Sequence, residues 1–347
     1  MYILEAGNVP RSNLYNEVLL LPTIIDISRA CGLSKSTVSR VLNNHPHVSE
    51  DSRAKVMEAV QKLGYVRNLH GVQLRLQESR NIGVLIPDVE HPFFSQLVSA
   101  LSRSLSSRGY RLVIYQTEYS QEYEREVYAR LRCREIDAVI VVYSHYNEKE
   151  IQEFIGTGVA IICNEAMEGE FLDVFRLDEQ DAVYQATIYL LSKGRCRLLF
   201  GMDHKTLLQE KRWLGFQQAL QDSGEPCLES QCHSGLITME DGYAWGERLF
   251  ASTTWPDGII TGSDYVAAGL LKAAEKHGVS IPEQVSVIGF DNHPVGQMTS
   301  PELTTIPNCI PEMTKDVTEC LVQRLEGVRS APLVRTYKTS LIIRQSG

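Results

Sequence analysis

Lys35, Ser36, Ser39, Arg40 and Asn43 sit at a spacing that a helix turns to one side. All five side chains hydrogen-bond, and a helix presenting them from its N-terminal part suits base edges in the major groove of DNA. Val38, Val41 and Leu42 face the other way and need a small core. The flanking sequence supplies one. Thr23, with Asp26 three residues on, reads as the capped start of a first helix that carries Ile24, Ile27 and Ala30 on one face. Gly32 ends it and suits the sharp turn of a helix-turn-helix. Leu33 enters the core, Ser34 caps the second helix over Lys35 to Asn43, and Ser49 caps a third from Glu50 to Leu63 that adds Val56, Val60 and Leu63.

The run S-K-S-T-V-S-R-V-L-N-N (residues 34–44), then H-V-S (47–49) and L-G-Y (63–65), is similar to the head of the lactose/galactose repressor family of bacterial transcription regulators. The resemblance implies a head over residues 23–67 that contacts double-stranded operator DNA. Its contact residues would be Thr23, Ser34, Lys35, Ser36, Thr37, Ser39, Arg40, Asn43, His47, Tyr65 and Asn68. It also implies a hinge over residues 68–80, where two copies lie side by side in the minor groove. There Leu74 would wedge into the central base step, and Arg75 would follow it into the groove or onto phosphate. Gly71-Val72 departs from the family's small-residue and arginine pattern, and glycine weakens a short helix. A plain linker is the alternative for this segment.

The net charge of -9 looks wrong for a DNA binder until it is divided along the chain. Residues 23–80 hold nine Lys or Arg against five Asp or Glu, whereas the chain beyond residue 80 holds 24 against 36. A basic head on an acidic body fits a modular nucleic-acid binder, because only the head must displace phosphate counterions. At 347 residues the chain exceeds one core of typical size, and 43% hydrophobic residues support folded domains throughout. Eight cysteines show no CxxC pair, so reduced and mostly buried thiols are expected, with no metal and no cofactor. Residues 1–22 form no signal peptide, since the apolar run Val18 to Leu21 is far shorter than an h-region. They read as a flexible extension, or as the product of a start codon assigned upstream of one near Leu21. No apolar run approaches the ~18 residues of a membrane span, and the expected location is the cytoplasm, on the nucleoid.

From residue 81 to 347 strands and helices alternate. Strands are expected at 82–86, 111–115, 138–142, 159–163, 174–177, 196–201, 258–261 and 285–290, with helices between them. Their continuous apolar runs argue for an α/β body of parallel sheets. They are too many for one small sheet, so two lobes with a cleft fit best. This part resembles the type I periplasmic-binding-protein fold that the family uses for effectors, and with the head the resemblance covers residues 23–347.

Ligands of such sheets bind beyond the carboxyl ends of the strands. Phe93 and Phe94 follow the first strand, where the family often stacks an apolar side chain on its ligand; at least one of them should be core. Asn164 follows Cys163 at a position usually acidic in the family. Arg212 matches an arginine that commonly bonds effector hydroxyls or carboxylates, or else pairs with a surface acid. Ser263-Asp264 matches an Asn-Asp pair, and Asp264 either contacts ligand or caps the next helix. Asp291 matches an acidic ligand contact, and Asn308 falls where sugar-responsive members carry glutamine. Asn, Arg and Asp around aromatic rings suit polyols, because paired hydrogen bonds read hydroxyls and ring faces cover CH groups.

The resemblance therefore implies a homodimeric regulator, a repressor of carbohydrate-related genes, whose operator affinity follows a sugar or sugar phosphate in the cleft. Two heads on a two-fold axis would read a palindrome, and the helix from Phe94 to Ser107 is the candidate dimer seam. The alternative is a catabolite-control type that answers to a phosphorylated carrier protein on the outer face of the body. An intact head opposes a solute-binding protein without a DNA role. Enzyme chemistry is opposed by the lack of a P-loop, a Gly-x-Ser-x-Gly or a strand-following GxGxxG; Gly156-Thr-Gly158 continues as Val-Ala-Ile.

Overall fold

The computed structural model describes residues 22–65, 78–204 and 206–347. The leader through residue 21, and residues 66–77 with Asn68, Leu74 and Arg75, lie outside the described residues. The chain divides into two compact units, one ending at Gln77 and the other beginning at Glu78.

The first unit holds α1 (Ile24–Cys31), α2 (Lys35–Leu42) and α3 (Glu50–Leu63). The Thr23 backbone N–H and hydroxyl both donate to Asp26 Oδ2, at 2.9 and 2.7 Å, closing the expected capping box. Gly32, at φ +69°, ends α1 in the left-handed region that glycine enters without a Cβ penalty. Ser34 and Ser49 cap as expected, accepting from the N–H groups of Thr37 and Ser52. Ile27, Val38, Val41, Val56 and Ala59 form the core. Ala30, expected inside, is exposed, and Cys31 packs instead. The seven-residue step from Ile24 to Cys31 returns almost to the same line on a helix, whereas the six-residue step to Ala30 ends about a third of a turn away.

Ser79 and Arg80 mark the start of the second unit. The Ser79 N–H and hydroxyl and the Arg80 N–H donate to the Asp137 carboxylate at 2.7, 2.8 and 2.8 Å. The end of the segment read as hinge is thus tied to the body.

The first lobe is a parallel sheet of β1 (Asn81–Ile86), β2 (Arg111–Gln116), β3 (Ala138–Val141), β4 (Val159–Cys163), β5 (Asp173–Leu177) and β11 (Val334–Tyr337), in the order β11-β5-β4-β3-β1-β2. Alternate residues feed two cores. Val84, Ile140, Ile161 and Phe175 meet α4 (Pro92–Ser106) and α11 (Ile310–Leu325). Leu85, Val139, Ile162 and Val174 meet α5 (Gln121–Arg132) and α6 (Glu148–Ile155). Burial on both faces explains why these strands read as unbroken apolar runs.

The second lobe repeats the scheme with β6 (Leu198–Gly201), β7 (Cys232–His233), β8 (Gly258–Thr261), β9 (Ser286–Asp291) and β10 (Thr304–Pro307), ordered β10-β9-β8-β6-β7. Helices α7 (Glu179–Ser192), α8 (Leu207–Asp222), α9 (Met239–Phe250) and α10 (Asp264–His277) cover it. The chain crosses between lobes after Leu177, after Pro307 and after Tyr337, and then Ile342 pairs antiparallel with Thr305. Arg324 of α11 clamps Asp173 of β5 through Nε and Nη2 at 2.6 and 2.9 Å, which fixes the late-arriving helix to the first lobe.

The expected elements end at β9; β7, β10, α11 and β11 are additional to them. Of the thiols expected to be mostly buried, only Cys163 and Cys320 are, while Cys133 and Cys196 are exposed. Among the described residues no helix is long and apolar enough to cross a membrane.

Candidate functional site

In the head, Lys35, Ser36 and Arg40 stand exposed along α2, with Thr37 and Ser39 half-buried beside them. Asn43 is the cap that ends α2 rather than its last residue, and its amide donates to the Ser39 carbonyl at 2.7 Å. His47 is exposed, while Tyr65 packs its ring on the head core. Thr37 and Ser36 both lie within hydrogen-bond distance of the Ser34 hydroxyl, at 2.9 and 2.7 Å. Arg53, which is not among the residues expected to contact DNA, reaches from α3 to Asn44 Oδ1 at 3.1 Å and to the His45 carbonyl at 3.3 Å. It holds the loop behind α2 in place.

In the body, a cavity of about 720 Å³, its open mouth included, lies between the lobes. Its walls are the carboxyl ends of the strands, as the topology requires. After β1 come His91, Phe93 and Phe94; after β2, Tyr119; after β3, Val142 and Tyr143; after β4, Asn164 and Glu165. The second lobe contributes Asp203, His204, Leu236, Ile237, Gly262, Ser263 and Asp291 from its strand ends, and Gln209 and Arg212 from one face of α8.

Arg212 is buried at the floor. Its Nε donates to Glu179 Oε2 at 2.6 Å, its Nη1 donates to the Gly262 carbonyl at 3.0 Å, and the guanidinium lies 3.6 Å from the centre of the Phe290 ring. Its partner is therefore a buried acid, not a surface one. Burial raises the Glu179 pKa while the Arg212 charge pulls it down, and burial prevails. Burial likewise pushes Asp291 up to about 6, against Arg212, and pushes Glu165 up to about 7. Asn164 and Asp291 both hold left-handed backbone, at φ +66° and +96°. That conformation turns each of them out of its strand at the cavity rim, and Asn and Asp tolerate it better than most residues.

Residues 23–68 match the family described as bacterial regulatory proteins, lacI family, and residues 188–347 match a periplasmic binding protein-like domain. Over 330 residues the chain is 32% identical to the NTD biosynthesis operon regulator NtdR of Bacillus subtilis (strain 168), covering 94% of this chain and 100% of NtdR. The chain belongs to the lacI family of bacterial regulatory proteins. It is also 33% identical over 330 residues to the HTH-type transcriptional regulator GalS of Salmonella typhimurium, covering 93% of this chain and 96% of GalS. A solved structure of the lac repressor dimer bound to operator and the anti-inducer ONPF superposes with a TM-score of 0.82 over 94% of this chain and 99% of that one, at 20% identity. That likeness establishes the fold. This lacI-family protein is thus a DNA-binding transcription regulator with a two-lobed, periplasmic-binding-protein-like body.

Of the cleft residues named from the sequence of this lacI-family regulator, Phe93, Phe94, Asn164, Arg212, Ser263 and Asp291 line the cavity. Phe93 also belongs to the first-lobe core, and Phe94 packs against it. Ser263 is the true cap of α10, accepting from the Val266 N–H at 3.3 Å. Asp264 is not among the lining residues. Its carboxylate accepts from the Thr305 hydroxyl and from the His293 N–H, both at 2.6 Å, and so ties α10 to β10 and to the loop after β9. Burial pushes its pKa up to about 8 despite those bonds. Asn308 sits at the second lobe crossing, where its Oδ1 accepts from the Ile310 N–H at 3.2 Å and its amide lies 3.5 Å from Asp291 Oδ1. It braces Asp291 from behind and opens onto a different surface beside α4. Tyr119, Tyr143, Glu165, Asp203 and Gln209 are additions to the expected set, although each but Gln209 follows an expected strand. Gln209 lies three residues before Arg212, on the same helical face.

Proposed function

We propose that this regulator acts as a homodimeric repressor in the cytoplasm, reading a palindromic operator with two copies of α2 and releasing or gripping it according to a small polyol in the interlobe cavity. The observation that carries the reading is the two-sided lining of that cavity. A ligand touching Phe94 and Asn164 on one lobe and Arg212's neighbours on the other binds one lobe arrangement better than another, and only such differential affinity shifts an equilibrium. The head supports the DNA half of the proposal, with Lys35, Ser36 and Arg40 exposed on one helix whose inward side is fully committed to the core. Carbohydrate-related genes are the expected targets, because hydrogen-bonding side chains interleaved with rings are the chemistry of polyol recognition.

Genomic fragments selected on the purified protein supply the operator for the test. Fluorescence anisotropy should show Arg40→Ala weakening that operator about 10- to 100-fold, the value of one good base contact, while random duplex is held nearly as before. Equal losses on both duplexes would reduce Arg40 to a phosphate contact. Small metabolites should change operator affinity in the parent protein. If none does, and a phosphorylated carrier protein does instead, control from the outer face of the body replaces control from the cavity.

A further inference from the structure

Charge in the interlobe cavity is unbalanced. Glu165, Asp203 and Asp291 line it, and among its described lining residues Arg212 is the one lysine or arginine. That guanidinium already holds Glu179 at 2.6 Å, so it neutralises a carboxylate before any ligand arrives. His91 does not make up the difference. Its Nε2 is 3.7 Å from Asp203 Oδ2, but burial lowers the His91 pKa, outweighing the pull of Asp203, and keeps the ring neutral.

Two unpartnered atoms in the cavity wall add to this. Gln209 is buried, and its Oε1 and the His91 Nδ1 are enclosed polar atoms without a partner in the protein. A carbonyl oxygen can only accept, and so can a carboxylate once it is ionised. Such a site asks its occupant for donors. The remaining wall is aromatic: Tyr119 meets Tyr143 at 5.1 Å and His204 at 5.7 Å between ring centres, edge to face, and Phe94 lies 4.9 Å from His91. Ring faces attract cations as well as CH groups.

We infer that the cavity of this regulator selects a polyol bearing a protonated amine, an amino sugar or aminocyclitol, over a neutral sugar or a sugar phosphate. The inference rests on the proposal that the cavity is the effector site, and it names the ligand class. An ammonium offers three donors and one positive charge to Glu165 and Asp203. It would also favour the ionised forms of Glu165 and Asp291, which burial alone opposes. A phosphate would face three carboxylates with no uncommitted described lysine or arginine to receive it.

Titration calorimetry on the full chain, at neutral pH and low salt, compares D-glucosamine, D-galactosamine and 2-deoxystreptamine with D-glucose, D-galactose, N-acetyl-D-glucosamine and D-glucose 6-phosphate. At least one amine should bind about tenfold or more tighter than its neutral counterpart, the worth of one added charge-assisted hydrogen bond. Asp203→Asn, and separately Glu165→Gln, should remove most of that advantage, narrowing the ratio of amine to neutral-sugar affinity to about twofold. In parallel, a metabolite extract split on a cation exchanger is assayed for its effect on operator binding, and the active component should be in the retained fraction. A neutral sugar or the phosphate binding as well as the amines, or activity only in the unretained fraction, overturns the amine assignment and leaves the effector site standing. Silence from the panel and from both fractions overturns both.

Discussion

Exchanging Arg212 for methionine is expected to destabilise the body by about 3–5 kcal/mol, the usual consequence of stripping one partner from a buried ion pair. Glu179 and Arg212 are 6% and 7% exposed at their side chains, so neither can turn to water when the other is lost. Methionine keeps most of the packing volume but restores neither the bond to Glu179 nor the one to the Gly262 carbonyl. The second change, Glu179→Met in the same chain, should recover most of the loss, because removing both charges leaves no unpaired buried charge. The pH dependence separates this from a packing defect. Burial already holds the Glu179 pKa above its unfolded value, and without Arg212 it rises further. A group shifted that way stabilises the fold below its unfolded pKa and loses that contribution as pH rises through the folded value. The deficit of the single variant should therefore be largest at neutral and alkaline pH and shrink in acid. Urea denaturation across that range measures it, and a pH-independent deficit that survives the double change would mean that the arginine acts by shape alone.

Adding one methyl at Gly269 should cost about 3 kcal/mol, at the upper end for overpacking. A Cβ there would stand 1.9 Å from the Met239 carbonyl oxygen and 2.7 Å from the Tyr243 nitrogen, both of them backbone atoms of α9. Gly242 faces back with its own site 2.1 Å from the Val266 carbonyl, and Gly246 approaches Ala273 at 2.6 Å. These glycines let α9 and α10 touch backbone to backbone, and backbone cannot swing aside as the end of a side chain can. Alanine favours a helix over glycine by about 1 kcal/mol, so the clash must exceed that gain to show at all. Lys272→Ala, on the exposed side of the same helix, is the control and should change stability by less than about 0.5 kcal/mol. A Gly269→Ala variant as stable as that control would mean that the two helices separate at no cost.

Much of this architecture is legible in the residue order, and the failures have local causes. The caps at Thr23, Ser34 and Ser49, the stop at Gly32 and the doubly buried strands are signals written within a few residues of where they act. The missed strands lack such signals. β7 is two residues long, β10 begins Thr304-Thr305, and β11 is an exposed edge carrying Arg335 and Thr336, so none of them shows an apolar run. The cavity was half readable. Strand ends pointed to Asn164 and Asp291, and the same rule applied one residue further would have given Glu165. What the sequence could not show was that Glu179, 33 positions away, already occupies Arg212. Pairing across that distance depends on how α7 and α8 pack, and it decides the sign of the charge left for a ligand.

The order in which the lobes are threaded bears on how the chain is made. The first lobe begins at Asn81, yet its sheet needs β11 and one of its cores needs Met313, Val317 and Leu321 from α11. A growing polypeptide leaving the ribosome therefore cannot close that lobe until nearly every later residue has emerged, although the second lobe's strands have appeared meanwhile. Throughout that interval the apolar face of β1, β3 and β4 awaits its cover. Premature termination anywhere between Pro307 and Tyr337 should yield a product that is sticky and short-lived rather than a working half.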